Sequence, residues 1–158
     1  MPQHEALFRT PGGSAARTVR IYSPVSGVVI RTIVEWAGVQ IHITPDEYPA
    51  FHVILFHVNA AVSVADGTRF EAGAQIGTHI GDQTMSDVAV SVDDPNGYRF
   101  VSWFDAIADG VFENYRARGL QARSDAVITR AERDASPLQC TGEAFVNKGA
   151  LPNWIELR

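Results

Sequence analysis

Lysine is almost missing from this sequence: Lys148 is the sole example among 13 Lys and Arg residues, which 18 Asp and Glu outnumber. The formal net charge of -5 and a pI near 5.4 argue against nucleic acid as a main partner. A phosphate-binding surface needs clustered Lys and Arg, and no such cluster is present. Cysteine is equally scarce. Cys140 stands alone, which excludes an intramolecular disulfide framework and any multi-cysteine metal site and leaves a structural thiol as the plain reading. No apolar run approaches the ~18 residues of a membrane span. The opening MPQHEALFRTPGGSAARTVR lacks the apolar core of a signal peptide. The chain as given therefore reads as soluble and without a targeting signal, its compartment and oligomeric state left open. A glycine-rich phosphate loop and a nucleophile elbow are absent as well.

What is present is a chain of 158 residues, 46% hydrophobic and 20% charged, enough for one domain with a true core. Residues 1–18 read as a loose lead-in marked by Pro11, Gly12, Gly13 and Ser14. Residues 19–101 then change to strand periodicity. Val19, Ile21, Val28, Ile30 and Ile33 flank a Ser23-Pro24…Gly27 turn. Val39, Ile41 and Ile43 alternate with Gln40, His42 and Thr44, the period-2 pattern of a half-buried strand. FHVILFHVNAAVSV is more apolar and predicts one or two central strands. Asp66-Gly67, Glu71-Ala72-Gly73 and Asp94-Pro95-Asn96-Gly97 are turn signals around further short strands, including the alternating Asp87–Val92.

After Val101 the period lengthens. Ser102-Trp103-Phe104-Asp105 has the form of a helix capping box, and Phe104, Ile107, Ala108, Val111, Phe112 and Tyr115 make one apolar face. Gly119 is placed as a C-cap, and a second helix is predicted from a Ser124 cap through Ala135, ended by Ser136-Pro137. Residues 102–158 thus form a helical extension with a terminal strap carrying Phe145, Trp154, Ile155 and Leu157, read as part of the same domain.

The ordered series SPVSGVV, VILFHV, VADGTRFEAGAQIGTHIG and SDVAVSV resembles the core of the lysostaphin-type (LytM-like) peptidoglycan zinc endopeptidases. The resemblance covers roughly Ser23 to Val92. It implies a mainly β fold of the duplicated hybrid type (barrel-sandwich hybrid), to which this chain adds two C-terminal helices. Glycines in tight turns and alternating aliphatics that fill a small barrel suit that plan physically.

The resembled enzymes hold zinc with an early histidine-x-x-x-aspartate segment and the second histidine of a late histidine-x-histidine strand. By strand order, His57 falls where one of their catalytic histidines sits, while Asp87 and Ala89 replace the late histidine pair. Upstream of SPVSGVV no histidine-x-x-x-aspartate exists; His4 is followed only by Glu5. Catalytic zinc takes three protein ligands, and alanine offers no electron pair. The resemblance therefore implies the scaffold without its metal, and no cofactor is expected. A carrier role fares no better: a lipoyl or biotin arm needs a hairpin lysine, and a phosphocarrier needs two facing histidines.

Four histidines lie in the β region: His42, His52, His57 and His79. His52 and His57, five residues apart, fall on opposite faces if one continuous strand carries both. A buried imidazole between Phe56 and Val58 must find a partner, and Asp87 is the candidate the resemblance supplies. His57 and Asp87 are thus the residues expected to carry any catalysis. Thr78, His79 and Gln83, in the glycine-rich segment before the last alternating strand, are candidate binding groups with His52. The plain alternative is that these are ordinary surface or hydrogen-bonded histidines. The expected function is a non-catalytic or altered relative that binds a glycan, peptide or other polar ligand in the old groove. Two alternatives stand beside it: a hydrolase or lyase with a rebuilt His/Asp site, and a structural or assembly module using the C-terminal extension.

Overall fold

The computed structural model describes residues 6–8, 19–81, 84–135, 140–141, 144–145, 155 and 157. Gln83 and Trp154 lie outside these residues, and so does the side chain of Cys140. The chain divides between Trp103 and Phe104 into two compact units.

The first unit is one nine-stranded antiparallel sheet. Its strands are β1 (Ala6–Phe8), β2 (Arg20–Tyr22), β3 (Gly27–Val34), β4 (Val39–Pro45), β5 (Phe51–Ala60), β6 (Arg69–Phe70), β7 (Gln75–His79), β8 (Ser86–Asp94) and β9 (Gly97–Val101). The main path runs β1-β8-β5-β4-β3-β6, with β7 joining β5 to β2 and β9 lying along β8. β1 is a strand that no pattern in the sequence announced; its three residues pair with Ser86–Val88.

Alternation sets the inside of β4, where Ile41 and Ile43 are fully buried. They pack with Val29, Val53, Leu55, Val58, Ile76 and Val88 in one core cluster. In β3 the phase differs from the sequence pattern. The β3–β4 register slips between Val29 and Arg31, which puts Val29 in the core and leaves Ile30 about half exposed. The mainly β fold class read from the sequence is the one observed.

The second unit holds the short helices. α1 (Trp103–Ala106) begins at the boundary, and α2 (Asp109–Arg116) follows after an extended Ala108. The single apolar face predicted from Phe104 to Tyr115 is thus broken into two helices. Phe104 still meets Tyr115 edge-to-face at 5.2 Å. Gly119, at φ 109, closes α2 with the paired bonds of a Schellman turn: its N–H donates to Arg116 O, and Leu120 N–H donates to Tyr115 O. The helix predicted from Ser124 is also divided. A 3-10 turn covers Arg123–Ala126, and α3 (Arg130–Ala135) starts anew. Its start has a chemical cause, since Glu132 N–H donates to Thr129 Oγ1 while Thr129 N–H donates to Glu132 Oε2, a reciprocal capping box. β10 (Cys140–Thr141) and β11 (Ala144–Phe145) form a separate two-stranded ladder. Among the described residues no helix is long and apolar enough to cross a membrane.

Candidate functional site

β5 changes partners midway. Its first half, Phe51–Phe56, pairs with β8, and its last residues, Val58–Ala60, pair with β7. His57 sits at the fork. Among the described residues it is the one non-glycine residue with positive φ, at 55°. Histidine tolerates that region better than most side chains, at a strain of about 1–3 kcal/mol. The bulge shifts the strand's phase: Leu55 and Val58, three apart, both enter the core. The parity rule that set His52 and His57 on opposite faces therefore fails, because the strand is not continuous in phase.

The bulge also decides where the His57 ring goes. Nδ1 lies 3.1 Å from Ala37 O and 3.2 Å from Glu35 Oε2. The hydrogen bond goes to Ala37 O, whereas Glu35 Oε2 is buried with no hydrogen-bond partner among the described residues. With Nδ1 as donor, the neutral form of the ring keeps its lone pair on Nε2. Among the described residues Nε2 has no hydrogen-bond partner. The carboxylate on this ring is Glu35, where the sequence reading had proposed Asp87. Glu35 belongs to the β3–β4 turn, whose backbone closes with Glu35 N–H on Gly38 O. Gly38 is required there. Its φ is +80, and a Cβ would stand 2.7 Å from Val58 O and 3.1 Å from Ile80 Cδ1. The turn thus rests directly on β5 and on the segment after β7. Trp36, at its tip, is 76% exposed, with its ring 5.8 Å from that of His57.

Asp87 and His79 flank the same fork. Asp87 is the register partner of Phe56, and His79 that of Val58. Ser86 Oγ donates to His57 O at 3.0 Å, which ties β8 to the bulge. Buried His79 receives the Gly81 N–H on Nδ1 at 2.9 Å, so its neutral form bears the proton on Nε2. Thr78 lies opposite Asn59, whose Nδ2 donates to Thr78 Oγ1. Thr78, His79 and Asp87 thus take register positions on the strands beside the fork, with Thr78 and His79, as neighbours on one strand, facing opposite sides of the sheet.

His52 belongs elsewhere, toward the start of β5. It lies across from Thr44 on β4 and Ser91 on β8. Its Nε2 donates to Asp93 Oδ2 at 3.2 Å, and its Nδ1 meets Thr44 Oγ1 at 3.1 Å. Beside it His42, bonded to Gln40 Oε1, has its pKa lowered first by burial, then by the Arg31 guanidinium and by His52.

The zinc of the resembled enzymes can be tested against these positions. Ala89, at the late ligand position, faces Ile54 across the ladder and is 1% exposed. A buried methyl there supplies no donor. Among the described residues no group of three or more His, Cys, Asp or Glu is placed to hold a metal ion. Among the described residues, those at these positions do not fit the metal of those enzymes. Glu35 and Trp36 are the site residues that sequence reasoning missed. The gap between the run ending near Ile33 and the run from Val39 is the one signal that could have found a hairpin tip there, and nothing local tells which strand it leans on.

No protein-family model matches this chain, and no curated protein matches it. Among solved structures it is similar to a protein assigned as a glycyl-glycine endopeptidase LytM of Ruminococcus gnavus, at 17% identity and a TM-score of 0.42, over 52% of this chain and 37% of that one. It is also similar to lysostaphin, at 15% identity and a TM-score of 0.46, over 61% of this chain and 40% of that one. The chain thus spans well under half the length of either structure.

Proposed function

We propose that this chain is a relative of the peptidoglycan zinc endopeptidases that binds a polar ligand, glycan or peptide, at the fork of its sheet and does not hydrolyse it through a metal. One observation carries the reading: in the β5–β8 ladder, Asp87 and buried Ala89 stand opposite Phe56 and Ile54, where the enzymes' late histidine pair would stand. The surrounding polar atoms suit binding. His57 Nε2 and the hydroxyl of Thr78 are held on strands rather than on loops, so little side-chain entropy is lost on contact.

The test combines metal analysis with a cleavage assay. After equilibration with zinc and gel filtration, the protein is expected to carry no stoichiometric metal and to leave a pentaglycine cross-bridge peptide intact. Resonances of Thr78 and Asp87 are expected to shift when peptidoglycan fragments are added. One bound zinc per chain together with cleavage would overturn the proposal.

A second reading rests on a different observation. Ala37 O holds His57 through Nδ1, with Glu35 Oε2 3.2 Å away, and leaves Nε2 available, which is the arrangement of a general base. It places a hydrolase or lyase activity at His57, and such an activity surviving in His57→Ala would remove it.

A further inference from the structure

The β3–β4 tip carries features that a generic polar pocket does not need. Trp36 is 76% exposed, and Val34 beside it is 85% exposed. Large apolar side chains at a rigid, solvated tip leave an open face whose burial requires a partner. The tip lies close against its neighbours, since a Cβ at Gly38 would collide with Val58 O and crowd Ile80. Beneath the indole lies the His57 imidazole, tilted by 54° and only 16% exposed, with Glu35 at its Nδ1.

Glu35 Oε2 is buried with no hydrogen-bond partner among the described residues, and two further acceptor atoms stand beside that aromatic face: His57 Nε2 and Glu35 Oε1. Neither has a hydrogen-bond partner among the described residues. The stretch Val34–Val39 contains no Lys or Arg, so an anionic ligand finds no counter-charge on it. An apolar ligand would leave both acceptors desolvated and unpaired. The chemistry that satisfies all three groups is a neutral polyol with one apolar face, its C–H groups on the indole and its hydroxyls donating to Nε2 and Oε1.

We infer that the β3–β4 tip is a saccharide subsite, in which Trp36 stacks on a pyranose ring while His57 and Glu35 accept hydrogen bonds from its hydroxyls. This rests on the ligand-binding reading above and names the ligand class.

The test uses the full chain and two probes, a soluble trisaccharide of β-1,4-linked N-acetylglucosamine and pentaglycine, followed by NMR. The trisaccharide is expected to shift the Trp36 indole N–H. Trp36→Ala is expected to weaken its binding about tenfold, with Trp36→Phe retaining most of the affinity. The exposure of Trp36 makes both variants compatible with folding, which an unchanged melting temperature verifies. Unchanged affinity in Trp36→Ala, or no binding of the trisaccharide, overturns the saccharide subsite. In that event, shifts at Thr78 and Asp87 on adding pentaglycine would preserve the broader ligand-binding reading, and silence there too would remove both.

Discussion

At the scale of single residues, His57 governs the site because its backbone does. A left-handed φ in mid-strand sends the ring to the hairpin tip rather than to either sheet face. Histidine and asparagine tolerate this region, whereas a β-branched residue clashes with its own backbone. Urea denaturation should therefore find His57→Val less stable than His57→Asn by about 2 kcal/mol. Equal stabilities would show that the bulge does not persist in solution. His42 gives a second test. Burial, Arg31 and His52 lower its pKa, so the native chain gives up this proton where the unfolded chain still holds it. The unfolded state binds more protons, and stability rises with pH across that interval. The loss begins as pH falls below the ordinary histidine value of about 6.5 and ends at the lowered native value. The urea midpoint should fall between about pH 7.5 and about pH 5, and His42→Gln should flatten part of that fall. What was legible at this scale was side-chain phase in β4: Gln40, His42 and Thr44 against Val39, Ile41 and Ile43. Glu35 was not, because an acid in a turn carries no periodic signal and its neighbour His57 sits in a bulge 22 residues along the chain (57 − 35).

Elements were legible wherever burial enforces a period. β4 follows its alternation because one face is packed, whereas β8 buries four consecutive residues, Val88 to Ser91, and β5 changes phase at His57. β1 and the interruptions of the helices were hidden for the opposite reason. Three residues show no period, and the apolar face from Phe104 to Tyr115 continues across the extended Ala108 that divides α1 from α2. Ala108 is the N-cap of α2 and offers no side-chain acceptor. Since it is exposed, Ala108→Asp should satisfy an orphan N–H and complement the helix dipole, slowing amide exchange in α2 by about 1 kcal/mol of local stability. No change in exchange would indicate that the two helices merge in solution. The start of α3, by contrast, is written locally: Thr129 and Glu132 are a capping box in the sequence as well as in the structure.

At the scale of the whole sheet, one strand exchanges partners at a bulge, and polar residues stand at register positions on either side of it. Thr78, His79 and Asp87 take register positions beside the fork at His57. Ala89 faces Ile54 across the ladder as a buried methyl, which offers no donor to a metal. The most direct measurement is the zinc content of the full chain after equilibration with the metal, read together with cleavage of a pentaglycine cross-bridge peptide. No stoichiometric zinc and an intact peptide are predicted. One zinc per chain with turnover of the peptide would contradict the account at its centre.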